Sequence, residues 1–429
     1  MNIVVEIIIW IAYIISLYFS IFLLLVYLEK KEFFEHEQSG TALQEYPLIS
    51  VIVPVFNEEK TVIKTLESLY HLDYPKDRLE ILVVNDGSTD STPQKIESFI
   101  KEKINFHLLS HPNRGKGASL NRGLKELKGE YFACLDADSF VEPQTLRKML
   151  SLYEKENEPQ LAVVTPAMKI YNPKNLLQKV QWFEYLVVIL IARISSHMDS
   201  LYVAPGPFSV YRTSVIRKIG GFHENHLTED QEIAYRLQEQ HYKIKQCFDG
   251  YVYTNCPKKL KPFFRQRRRW YVGSLVCLKS YRKMVANRKY GDFGMMQMVK
   301  NVVGYTLAVV GIIIMVYFFL IPLYQKARTA LIVQFDVLPF LNNFFTKLTL
   351  KFTFLNFLLT DFRKGFIILF LFAIGFFLFY AAHKNGNEKI NKFGWIVLIP
   401  YFAFYYILKG IILLLSLMQF AQGKKIRWR

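Results

Sequence analysis

Asp136-Ala137-Asp138 sets two carboxylates one residue apart, and Asn85-Asp86-Gly87-Ser88-Thr89-Asp90 forms a second acidic stretch earlier in the chain. Carboxylates this close repel, and a hard divalent cation bound to a diphosphate relieves the cost. The plainer role for such residues is to cap helices. It suits Asp90, which precedes a helix containing Pro93, better than Asp136 and Asp138. Between the two acidic stretches, His111-Pro112-Asn113-Arg114-Gly115-Lys116-Gly117 combines cations, backbone N–H groups and a helix start, which suits an anionic phosphate ligand. No G-x-x-x-x-G-K-[ST] pattern occurs and no strand leads into G-x-G-x-x-G, which argues against a P-loop ATPase and a dinucleotide dehydrogenase.

These groups need a scaffold that brings them to one edge. From about Leu48 to Lys169, short β-rich runs alternate with amphipathic helical stretches, the pattern of a parallel sheet with crossover helices. Strands are expected at Leu48–Phe56, Leu79–Val84, Phe106–Leu109, Tyr131–Leu135 and Leu161–Lys169. Asn57 is expected to cap a helix with Glu58 and Glu59 in its first turn. Ligands of open α/β sheets bind beyond the carboxyl ends of the strands, and both acidic stretches follow strands directly.

The chain has 429 residues, 52% of them hydrophobic, 16% aromatic and only 21% charged, a balance that fits a soluble part joined to membrane helices. It excludes disordered, collagen-like and disulfide-stapled classes. The four cysteines, Cys134, Cys247, Cys256 and Cys277, show no zinc-binding spacing, and a reducing compartment fits them. Lys and Arg outnumber Asp and Glu by 54 to 36, a net charge of +18, and Pro257 to Tyr290 holds 12 of these cations and no acid. With an apolar span close behind, this segment reads as a belt on anionic lipid headgroups rather than a nucleic-acid surface.

Ile3 to Tyr27 is an apolar run broken only by Glu6, and is expected to be a retained membrane helix rather than a signal peptide. Lys30 and Lys31 put the following domain in the cytosol. Leu176 to Ile194 is expected to lie at the membrane interface or in a core. Val302–Leu323, Phe366–Ala382 and Trp395–Phe420 are further spans, and Leu331–Leu359 is ambiguous. Counting it as a span gives four after the domain and places the basic tail Gly-Lys-Lys-Ile-Arg-Trp-Arg inside, as its charge prefers. The expected units are a membrane helix at 1–30, a cytosolic domain at 45–256, basic interfacial helices at 257–295 and membrane helices at 296–429.

The ordered set Pro54-Val55-Phe56-Asn57-Glu58, Asn85-Asp86-Gly87-Ser88, Asp136-Ala137-Asp138, Thr228-Glu229-Asp230 and Gln266-Arg267-Arg268-Arg269-Trp270 resembles that of the processive, membrane-embedded family-2 β-glycosyltransferases. These include synthases of cellulose, chitin, hyaluronan and poly-N-acetylglucosamine. The resemblance covers about residues 48 to 275 by motif and the rest by layout. It implies a GT-A-type, Rossmann-like α/β domain with a mostly parallel sheet in the cytosol, joined to an α-helical transmembrane domain in a multi-pass membrane protein.

By position, the resemblance implies that Asp86, Glu58 and Lys116, with Pro54, Asn57, Asp136 and Arg269, serve a UDP-sugar donor. Asp136 and Asp138 would hold Mg²⁺ or Mn²⁺ on its diphosphate. Asp230 would be the general base, and Gly206, Pro207, Glu229, Gln266 and Trp270 would face a glycan acceptor. Asn85 departs from the second Asp of many relatives. Gln266, Arg269 and Trp270 share one helical face at i, i+3, i+4, which turns Arg267 and Arg268 elsewhere, toward lipid phosphates. Trp270 offers a flat surface for a sugar ring. The implied activity is inverting transfer to a linear β-linked polysaccharide with passage of the chain between helices. The alternative is a non-processive transferase making a glycolipid, and a reading from another class is an inactive glycan- or nucleic-acid-binding membrane protein. The sugar stays open, because Thr228-Glu229-Asp230 is similar to chitin, cellulose and poly-N-acetylglucosamine synthases and Gly206 to Arg212 to hyaluronan synthases. The subunit number also stays open.

Overall fold

In this computed structural model, which describes residues 3–32, 40, 42–316, 320–332 and 362–423, Ile49–Val55 forms strand β1. All of β1 but Pro54 is buried, as befits an apolar strand covered on both faces. It pairs in parallel with β2 (Leu79–Asn85) and with β4 (Tyr131–Cys134), while β2 pairs in parallel with β3 (Phe106–Ser110). Strands β5 (Ser139–Val141), β6 (Leu161–Ile170), β7 (Val210–Arg212) and β8 (Lys243–Thr254) complete an eight-stranded sheet ordered β3-β2-β1-β4-β7-β6-β8-β5. β7 runs antiparallel to β4 and β6, with Val210 opposite Ala133. The segment leading into β7 therefore reaches the edge where β1, β2 and β4 end.

The expected parallel strands appear with ends shifted by a residue, whereas β5, β7 and β8 had no expectation. β5 and β7 have three residues each, too few to show a period, and β8 alternates buried and half-buried residues. Asn57 does not cap a helix. The helix begins at Val62, after Thr61, and Asn57 sits at φ +54, in the left-handed region that Asn tolerates. Its side chain accepts from the backbone N–H of Thr89 at 2.8 Å, tying the loop after β1 to the loop after β2. Asp90 accepts from the backbone N–H of Thr92 at 3.0 Å, at the start of helix Thr92–Ile100.

One core lies on each face of the sheet, Val51 and Val53 facing one and Ile52 the other. A third core lies beneath the domain. There helix Leu176–His197, opened by a capping box between Asn175 and Gln178, packs Trp182 and Phe183 against Phe379, Phe393 and Tyr401. Helix Leu260–Ser280 rests on the domain at both ends, through Gln181 to the Pro257 carbonyl at 3.0 Å and Tyr281 to Glu232 at 2.7 Å.

Among the described residues, Glu6–Glu29, Phe293–Ile314, Phe362–Asn385 and Trp395–Ala421 are long and apolar enough to cross a membrane. The second starts earlier than expected, with a π-helical turn at Phe293–Met298. Glu6 pairs with Lys364 at 3.1 Å near one end of its helix, and Asn385 donates to Tyr27 at 3.2 Å near the other, so these two helices run parallel. The ambiguous stretch up to Leu359 lies, from residue 333 on, outside the described residues, as does the tail beyond Gly423.

Candidate functional site

The site starts where β2 ends. Asn85 accepts from the Ser88 N–H at 3.0 Å and rounds the turn. Asp86 accepts from the backbone N–H groups of Arg114 at 2.7 Å and Gly115 at 2.9 Å, with a ring nitrogen of His111 3.4 Å away. At Gly87, φ is +71 and a Cβ would stand 2.8 Å from the Asn113 nitrogen, so a side chain there would push the two loops apart. Asp86 thus holds the 111–115 loop, which ends at Gly115 and releases Lys116 at the first position of helix Lys116–Glu126.

Lys116 gathers the carboxylates. Its Nζ lies 2.5 Å from Asp136, beyond β4, and 3.0 Å from Glu229. Glu229 and Asp230 occupy the first turn of helix Glu229–Glu239, where the helix dipole favours acids. Burial opposes the Lys116 charge, but Asp136, Glu229 and Asp230 outweigh it and raise its pKa above the ordinary lysine range. Glu229 is buried too, yet Lys116 and Arg269 hold its pKa below the usual carboxylate value. Asp230 goes the other way, pushed up to about 6 by burial and by Glu229, against Lys116 and Arg269. The two neighbours therefore divide into a permanent anion and a carboxylate able to take up a proton near neutrality.

On the other side of Asp136, burial, Asp136 and Glu58 push Asp138 up to about 7, and burial, with smaller contributions from Asp136 and Asp90, raises Glu58. Negative charge here lacks a full counter-charge. Among the described residues no group of three or more His, Cys, Asp or Glu is placed to hold a metal ion by itself.

Gly206, in the segment before β7, faces the same point. A Cβ there would stand 2.6 Å from Lys116 Nζ and 3.2 Å from Asp136 Oδ2. Pro207 is buried, and Phe208 donates its N–H to the Cys134 carbonyl, so this segment is bonded to the end of β4. Ala204 donates to the Asp230 carbonyl at 3.1 Å. Pro54 and Asn57 stand at the end of β1 without a direct tie to Lys116 among the contacts described.

Helix Leu260–Ser280 carries Gln266, Arg269 and Trp270, all half-buried. Arg269 donates to the Leu227 carbonyl at 3.3 Å, beside Glu229 and Asp230. Gln266 Oε1 is buried without a partner among the described residues. Arg267 corrects the lipid-facing expectation. It is only 2% exposed and pairs with Glu184 at 2.5 Å, because helix Leu176–His197 covers the face that helical spacing alone would assign to lipid. Gly273 was also missed. A Cβ there would meet Thr228 Oγ1 at 2.4 Å, so this glycine lets the helix press on the turn before Asp230. A glycine inside a helical pattern, and Glu184 inside an apolar one, were the available signals.

Residues 50–220 match the family described as glycosyl transferase family 2. The chain is 27% identical over 385 residues, 89% of its length, to a poly-β-1,6-N-acetyl-D-glucosamine synthase of Staphylococcus epidermidis, covering 86% of that relative. It is 29% identical over 245 residues to the synthase of that name from Staphylococcus aureus, covering 56% of this chain and 58% of the relative. Among solved structures, a mannosyltransferase from Pyrobaculum calidifontis in complex with GDP-Man and Mn²⁺ superposes with a TM-score of 0.55 at 19% identity, over 75% of this chain and 91% of that one. This likeness shows the GT-A fold.

Proposed function

We propose, on the premise that residues 50–220 are a glycosyl transferase family 2 domain, that this chain transfers N-acetylglucosamine from a UDP-sugar to a growing linear β-linked polysaccharide at a membrane. The observation that carries the reading is the convergence on Lys116 of Asp136, from the turn after β4, and of Glu229 and Asp230, from the first turn of helix Glu229–Glu239. In the reaction the bond between the sugar anomeric carbon and the diphosphate breaks, a bond to the acceptor hydroxyl forms with inversion, and the hydroxyl proton goes to Asp230. A carboxyl raised to about 6 is mostly ionised at neutral pH and more basic than an ordinary aspartate, as a general base should be.

Asp136 and Asp138 fit a divalent cation, because their oxygens are hard donors and the charge on Asp138 lacks compensation. Mg²⁺ or Mn²⁺ bound there would neutralise the departing diphosphate. Lys116 and Arg269 bring fixed positive charge to the same side. Glu229 stays ionised and holds Lys116 in place. Asp86 serves the donor by shaping the 111–115 loop, and Glu58, Asn57 and Pro54 border the cleft from β1. On the acceptor side, Gln266, whose buried Oε1 lacks a partner among the described residues, and the half-buried Trp270 are the residues that would meet a sugar.

The test is incubation of the full chain in lipid with UDP-N-acetylglucosamine and Mn²⁺, with product size and glycosidase digestion read out. Asp230→Asn is expected to lower transfer by about 10²- to 10⁴-fold while UDP-sugar binding persists. Near-normal transfer by that variant would remove Asp230 from the reaction.

A further inference from the structure

We propose that Arg267 is the positioning residue for Trp270, clamped from below by Glu184 so that the indole ring is held at a fixed tilt for the acceptor. The inference rests on the reading of Trp270 as the surface on which the acceptor sugar lies. The Arg267 guanidinium sits 4.2 Å from the centroid of the Trp270 ring and 5.1 Å from that of Phe263, one helical turn to either side. Glu184 Oε2 accepts from Arg267 Nη2 at 2.5 Å and from the Tyr405 hydroxyl at 2.6 Å, and Glu184 Oε1 accepts from Lys409 Nζ at 2.5 Å. Three elements thus meet at one carboxylate: helix Leu176–His197, the helix that carries Trp270, and the last apolar helix.

A buried ionic cluster is a costly way to join helices, since apolar side chains of similar volume hold such contacts as well or better. Its particular contribution is a flat cation whose orientation is dictated by hydrogen bonds and which lies against an aromatic ring. Arg267 is 2% exposed, so neither water nor lipid phosphate competes for it. Burial disfavours the Glu184 charge, but Arg267 and Lys409 overcome this and hold its pKa at about 2, so the clamp is permanent over any working pH. Trp270 follows Arg269, which borders Glu229 and Asp230. A ring that swings would carry the acceptor hydroxyl away from the base.

The experiment uses the full chain in lipid with UDP-N-acetylglucosamine, Mn²⁺ and a short N-acetylglucosamine oligomer as acceptor. Arg267→Lys keeps the charge but loses the plane. It is expected to raise the KM for the oligomer by about tenfold while the KM for UDP-N-acetylglucosamine stays within about twofold. The triple variant Glu184→Met, Arg267→Met and Lys409→Met removes all three charged members of the cluster without stranding a charge, and is expected to fold and to show the same acceptor defect. Equal losses for donor and oligomer in both variants would make Arg267 a structural residue only and overturn the proposal. Trp270→Ala separates the levels. An acceptor defect in Trp270→Ala with none in Arg267→Lys sinks the inference alone; no defect in either sinks the reading of Trp270 beneath it.

Discussion

Replacing Glu229 by Gln should move the acid limb of the pH profile toward lower pH, which follows from the opposite pKa shifts of two neighbours. Burial and then the Glu229 charge push Asp230 up to about 6. A neighbouring unit charge acting through an effective dielectric of about 20 is worth on the order of 2 kcal/mol, or more than one pKa unit. The substitution also removes one anion from Lys116, whose positive charge then acts more fully on Asp230, in the same direction. The base is active when ionised. With a pKa of about 6 roughly 9% is ionised at pH 5, and with a pKa lowered to about 5 roughly 50% is. Each profile is normalised to its own plateau, because Glu229 also anchors Lys116 and the plateau itself should fall. The assay is kcat/KM for UDP-N-acetylglucosamine from pH 4.5 to 8.5 at saturating Mn²⁺, since this ratio reports ionisations of the free enzyme. A rise of about fivefold in normalised activity at pH 5 is expected. An unmoved limb, or one displaced toward higher pH, would refute the pairing of Glu229 with Asp230.

Gly206→Ala would set a methyl 2.6 Å from Lys116 Nζ, so the KM for the UDP-sugar should rise by about tenfold or more with little change in melting temperature; an unchanged KM would show that this approach is not needed. Gly273→Ala forces Thr228 and the helix apart and should cost about 1–3 kcal/mol, read as a lower melting temperature together with slower transfer. Chelation should abolish transfer reversibly, and Asp138→Asn should raise the Mn²⁺ concentration needed for half-maximal activity by about tenfold; indifference to both would remove the cation from the reaction.

Much of the geometry around Asp86 and Asp136 was legible because it depends on local rules. Buried apolar runs followed by acidic loops mark strand ends, and Asp86 and Asp136 fall there. What escaped depends on partners distant in sequence. Grouping Gln266, Arg269 and Trp270 turned Arg267 toward lipid, although Arg267 and Trp270 are i, i+3 neighbours, and spacing could not show what covers Arg267; Glu184 and Lys409 lie 83 and 142 positions away along the chain, respectively. Asn57 looked like a cap because Asn favours both caps and left-handed backbone, and only the contact with Thr89 decides between them. β7 is three residues long, yet its reversed direction brings Gly206 to Lys116.

The core shared beneath the domain bears on how the catalytic part can be handled. Trp182, Phe183 and Phe263 are at most 2% exposed, covered largely by aromatic side chains of the two last apolar helices. An excised fragment ending before residue 293 would bare that aromatic floor and leave Glu184 and Arg267 without Tyr405 and Lys409. Such a fragment should aggregate unless detergent takes the place of the missing helices, so the catalytic part and its lipid-facing half are one object for purification.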